Sequence, residues 1–269
     1  MNGAVGNDPA ANANIFLDER ATDYLGPVTL LNNQKLIGQE STVTLSSVTG
    51  LTPGSGSAAF PAMNTGGPIV RITSASNGVN LAAGATATLR GFTIGDTSGI
   101  DLASGATFGT LTVNDVALTG TGRPLSLTSG ALAATFTSIT ATAAPGGQGI
   151  NIVGATGSLT VTGGTSITSP TTAVCIQVGM TTANLDFGNT TCSGGSDGIN
   201  LQNNSAGTRT FGTLTVSGGT GNAFIHNAGG NVPVTGAATL TSPSSAVSIN
   251  AQSAANAINF QAATSATST

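Results

Sequence analysis

The chain has 269 residues, with Lys or Arg at 6 positions, Asp or Glu at 10 and a formal net charge of −4, so about 6% is charged where an ordinary domain carries roughly 25%. Gly stands at 39 positions, Trp at none and Tyr at one. This composition excludes charge-driven disorder, a collagen triplet and a basic nucleic-acid stripe, and no 18-residue apolar run is present to span a membrane.

From Met1 to Asn14 there is neither a basic leader nor an apolar run, so no signal peptide is expected in this stretch and the chain reads as a piece of something longer. Residues 1–40 hold seven of the sixteen charges, among them Asp8, Asp18, Glu19, Arg20, Asp23, Lys35 and Glu40. They are expected to form a charged N-terminal cap with the first strands. Residues 41–260 are expected to form coils, and 261–269 a low-complexity tail or truncated repeat, the whole being one structural domain. Gly50 to Gly67 reads as the longest insertion between strands.

Beyond residue 78 a period of about 25 residues appears. A first unit, small–apolar–polar–apolar, recurs as Val79-Asn80-Leu81, Ile100-Asp101-Leu102, Leu125-Ser126-Leu127, Ile150-Asn151-Ile152, Val174-Cys175-Ile176, Ile199-Asn200-Leu201 and Val247-Ser248-Ile249. Phe224-Ile225-His226 fills the remaining gap, with its register open by one residue. A second unit, Thr–apolar–Thr, follows about ten residues later. Its copies are Thr86/Thr88, Thr110/Thr112, Thr135/Thr137, Thr160/Thr162, a variant Asp186/Gly188, then Thr213/Thr215 and Thr239/Thr241. A weaker third strand follows, as in Phe92-Thr93-Ile94, Val116-Ala117-Leu118 and Ile139-Thr140-Ala141. Gly-rich clusters such as Ala144-Pro145-Gly146-Gly147 separate the strands.

One 25-residue turn cannot bury its own apolar face; stacked turns pair each strand with its copy about 4.8 Å above and below. The fold class is therefore all-β: a parallel β-helix with three short strands per coil, right-handed by the usual chirality of parallel connections. A sandwich of short strands also fits the turn spacing, with Asn77-Gly78 and Asp197-Gly198 as hairpin signals, but it carries no such repeat. Leu111, Phe136, Val161, Phe187, Leu214 and Leu240 are expected to stack in one buried column.

Ile15-Phe16-Leu17, the run Tyr24 through Gly38, and Leu89-Arg90-Gly91-Phe92-Thr93-Ile94 resemble the opening coils of pectin-lyase-like right-handed β-helix proteins. Later coils such as Gly109-Thr110-Leu111-Thr112-Val113 resemble the repetitive passenger and stalk regions of large bacterial surface proteins of the adhesin kind. The resemblance covers essentially the whole chain and implies a fold more than a function, because lyases, phage tailspikes and adhesins all use it. Its lyase members work with clustered carboxylates, often with calcium.

Such chemistry needs acids in register on adjacent coils. In the alignment above, Asp101 lies in an outward polar column between Asn80 and Ser126, and Asp186 lies between Thr160 and Thr213. Asp96 and Asp115 are only 19 residues apart, with Arg90 and Arg123 near enough to pair with them. No carboxylate pair falls in register, so no enzyme, cofactor or metal site is expected. His226 reads as an outward polar residue. Cys175 also falls in the outward column and Cys192 does not stack on it, which favours two inert thiols over a disulfide.

The outward Thr pairs remain as the candidate binding face. The expected function is a non-catalytic structural or adhesive module, a stalk or display surface for glycans or surface proteins on an extracellular or cell-surface bacterial protein. Ice binding through the Thr columns is the first alternative and a polysaccharide lyase or hydrolase the second. An uncovered C-terminal coil would add end-to-end self-association.

Overall fold

The structure is a computed structural model and describes residues 9–142, 144, 146–169, 174–227, 229–250 and 257–268. Met1, Asp8, Pro145 and Thr269, used above for an end, a charge, a corner and the tail, lie outside these residues.

Apolar and polar residues alternate along short runs rich in Val, Ile, Leu and Thr, and these runs form strands. Every strand pairing is parallel, and the chain winds into a β-solenoid of about ten turns with rungs roughly 25 residues apart. Three walls result. The first runs from Val28–Leu30 and Val79–Leu81 through Ile176–Gly179 and Ile199–Gln202 to Val247–Asn250. The second begins with Asn14–Leu17 on Gln34–Gly38 and ends with Val232–Val234 on Ile258–Phe260. The third begins with Tyr24–Leu25 on Arg71–Ser74 and ends with Ala238–Ser242 on Thr264–Ser268. The first forty residues thus contain four strands of the solenoid itself. The tail adds a rung, Thr264–Ser268.

Bends between the walls are set by backbone conformation. Ser129, Gly154, Met180 and Asn203 have φ of 49°, 65°, 50° and 49° and stack one above another at the corner after the first wall. Such a left-handed residue redirects the strand without a loop. Asn side chains stitch other corners to the next coil: Asn32, Asn184 and Asn189 accept from the backbone amides of Thr86, Thr208 and Thr213 at 3.0, 3.0 and 2.9 Å. Residues 39–70 leave the solenoid and carry a short helix, Leu45–Thr49, which Thr44 caps at its start and Gly50 at its end.

The core is a continuous apolar column inside the three walls. Its first-wall register differs from expectation at two coils. Val79 pairs with Leu102, not Ile100, and Ile150 pairs with Ile176, not Val174. Phe224 does fill the gap, between Ile199 and Val247. A slip of two residues keeps every side chain on its own face, so hydrophobic alternation cannot detect it.

The slips matter at strand ends. Asp101 and Cys175 sit at corners and turn inward, fully buried. Cys175 is disulfide-bonded to Cys192 across the core, Cα to Cα 6.0 Å, so the two are not free thiols. His226 is also buried, because the register places it between Leu201 and Ile249 in an inward position. The six residues expected to form one apolar column are all buried but belong to separate ladders: Leu111 pairs with Leu132, Phe136 with Val161, and Leu214 with Ala238.

Candidate functional site

All twelve candidate Thr residues are half-buried or exposed, so each faces outward. They do not form one array. Thr88 pairs with Thr112, but on the next coil Thr110 and Thr112 meet Ala131 and Ala133. Thr135 pairs with Thr160, and Thr160 with Asp186. Asp186 then meets Thr210, not Thr213. Thr86, Thr88, Thr110, Thr112, Thr135, Thr137, Thr160 and Thr162 therefore make two small patches on the second wall. Thr213 sits at a corner, its amide bonded to Asn189.

Thr215, Thr239 and Thr241 belong elsewhere, to a longer array on the third wall. There Thr140 pairs with Ser166, Ser166 with Thr191, Thr191 with Thr215, Thr215 with Thr239 and Thr239 with Ser265. Six successive coils present a hydroxyl at this position. Two residues along, a second column runs through Thr168, Ser193, Ser217, Thr241 and Thr267. The inward residues between them (Ile167, Cys192, Val216 and Leu240) are buried and hold the wall to the core. Coil rise and strand geometry set a hydroxyl grid of about 4.8 by 6.7 Å. Ser193 donates to Thr168 across one rung at 3.2 Å. No Asp, Glu, Lys or Arg interrupts the grid.

A strict Thr–x–Thr search misses most of this wall because four of its eleven positions are Ser, on four different coils. The signal was the third strand, read as hydroxyl–apolar–hydroxyl: Thr140-Ala141-Thr142, Ser166-Ile167-Thr168, Thr191-Cys192-Ser193.

Compared with known protein families, with curated proteins and with solved structures, the chain finds no match.

Titratable groups are dispersed. Asp101 accepts a hydrogen bond from Thr97 Oγ1 at 2.8 Å, and its other carboxylate oxygen has no partner. Burial pushes its pKa up to about 8, against the opposing Thr97 bond and with a smaller push from Asp96. Arg209 is buried and pairs with no acid among the described residues. Its guanidinium donates to the carbonyls of Ala206, Gly207 and Thr181 at 2.6, 2.9 and 2.7 Å, which closes a corner. Burial lowers its pKa to about 10, so it stays charged at neutral pH. Gly230 is required beside it, because a Cβ there would lie 2.0 Å from the guanidinium.

Asp96 and Asp115 pair with separate arginines, Arg71 at 2.7 Å and Arg90 at 3.1 Å, whereas Arg123 bonds the carbonyl of Gln148. Among the described residues no group of three or more His, Cys, Asp or Glu stands where it could hold a metal ion, and no helix is long and apolar enough to cross a membrane.

Proposed function

We propose that the chain is a non-catalytic binding and spacing module of an adhesin-like bacterial surface protein. In this reading the third wall is a display surface for glycans or other surface proteins. The observation that carries it is the two-column hydroxyl wall, uncharged, with one column running over six coils and the other over five. Each hydroxyl both donates and accepts, so an extended polyhydroxyl ligand or a neighbouring chain can make many modest contacts, multiplied by repetition. The buried Cys175–Cys192 disulfide supports residence outside the cytosol, where such bonds persist.

The same grid favours one other reading, ice binding, because its spacing is regular in two directions and free of charge. Replacing Thr191, Thr215 and Thr239 together by Val removes three hydroxyls at constant shape. Beads coated with the chain are then tested on bacterial and host-cell surfaces, and the chain in freezing solution. Loss of adhesion without any effect on ice supports the adhesive reading; loss of ice shaping supports the alternative. Adhesion that survives the triple change overturns the assignment of this wall.

A further inference from the structure

A cleft of about 440 Å³ opens beside the first rungs of the hydroxyl wall. Thr93 and Thr119 of the third wall line it, together with Arg20, Asp23, Ile69 and Arg71. Thr119 pairs with Gly95, and the coil after it brings Thr140, the first hydroxyl of the long column. The cleft and the wall are therefore continuous. Its volume lies within the range of small-molecule sites, about 300–1,000 Å³.

The polar groups of the cleft are already fixed. Arg71 is held between Asp23 at 3.0 Å and Asp96 at 2.7 Å. Arg20 lies over the Tyr24 ring, 3.8 Å from its centroid, and donates to the carbonyls of Thr22 and Asp23 at 2.7 and 2.8 Å. Each guanidinium thus has carboxylate near it, Asp23 and Asp96 at Arg71 and Asp18 at Arg20. An anionic ligand would meet the carboxylates of Asp23 and Asp96, which already offset the charge of Arg71. A metal cation would face both guanidinium groups.

A neutral ligand rich in hydroxyls meets no such penalty. Asp23, one-third exposed, accepts; the guanidinium edges donate; Thr93 and Thr119 do either. Ile69, 63% exposed, offers an apolar rim for the C–H face of a sugar ring. Because the ion pairs hold these groups in place before binding, little ordering cost remains.

We infer that this cleft is a subsite for a neutral pyranose, taking one end of a chain whose other sugars lie along the hydroxyl wall. The inference rests on the reading of that wall as a glycan-facing surface.

Isothermal titration of the full chain tests it, with cellohexaose, chitohexaose and mannohexaose as neutral probes and hexagalacturonate as the acidic one. At least one neutral hexasaccharide should bind, and hexagalacturonate should bind at least about tenfold more weakly. Arg71→Met should weaken the neutral probe about tenfold or more. Ile69→Asp should do likewise, and since Ile69 is exposed this variant folds even if Arg71→Met does not. Preference for hexagalacturonate, unchanged affinity in Ile69→Asp, or no binding of any neutral probe at millimolar concentration overturns the subsite. The Thr191, Thr215 and Thr239 to Val variant separates the two readings. If it alone loses the sugar, the wall stands and the cleft falls; if only the cleft variants lose it, the cleft stands and the wall falls.

Discussion

The coils before Arg123 and those after it share one backbone plan but are held differently. In the first group charged side chains reach the segment that leaves the solenoid. Lys35 donates to the carbonyl of Val48, Glu40 accepts from the amide of Val70 at 3.1 Å, and Asp115 accepts from the amide and hydroxyl of Thr42 at 3.1 and 2.8 Å. The later coils hold only three charges, Asp186, Asp197 and Arg209. Their rungs are joined by hydroxyls and Asn amides outside, and inside by the disulfide and a run of rings. Phe187 stacks on Phe211 at 5.3 Å, and Phe211 meets Phe224 edge-on at 6.5 Å. Charge therefore follows the insertion rather than the solenoid. A coil that returns directly to its neighbour needs none.

The largest effect expected from this contrast lies in the early coils, at Asp101. Its folded pKa is raised, so the proton it keeps stabilises the fold fully below the unfolded value of about 4, and that stability is lost as pH rises toward about 8. The loss is up to about 1.4 kcal/mol per pH unit in that window. Asp101→Asn keeps an acceptor for Thr97 and removes the titration. Its urea midpoint should stay level between pH 5 and 9 while that of the unmodified protein declines; parallel declines would contradict the buried acid.

In the later coils Phe211→Ala should cost about 3–5 kcal/mol, through lost burial and a cavity between two rings. A chemical-denaturation loss below 1 kcal/mol would mean that the ring column is not part of the core. Removing the disulfide with Cys175→Ser and Cys192→Ser should cost about 3 kcal/mol, the loop-closure value for 17 residues. Calorimetry with and without reductant checks it, and the double variant should be insensitive to reductant. The smallest change is at the Arg90–Asp115 pair, where both side chains are about one-fifth exposed. Arg90→Met should cost about 1–2 kcal/mol, because Thr42 still donates to Asp115, and the difference should vary little with salt.

Much of this architecture is legible in the chain because period and face are local properties. Val, Ile and Leu at alternate positions turn inward whatever the coil above them does. Register is not local. It depends on where each corner falls, and beyond the insertion first-wall steps range from 23 residues (Val79 to Leu102) to 26 (Ile150 to Ile176). Asp101 and Cys175 turn inward against their outward reading for that reason, since alternation fails at a corner. His226 does so for another: once Phe224 pairs with Ile199, parity alone turns His226 inward despite its polar character. The hydroxyl wall is legible only in part. Thr215, Thr239 and Thr241 stand in the Thr–x–Thr pattern, but the tripeptide does not say which wall it occupies, and Ser166, Ser193, Ser217 and Ser265 fall outside it.

The Cys175–Cys192 bond closes most of one coil upon itself, and this has a mechanical meaning. If the solenoid is pulled from its ends, coils peel off one at a time, each paying out its whole contour. On reaching residue 175 the peeling chain meets a covalent shortcut, and about 55 Å of slack, at roughly 3.4 Å per residue, stays locked away. Under load the module would lengthen in near-equal steps interrupted by one short step, and a reducing agent would restore the missing length.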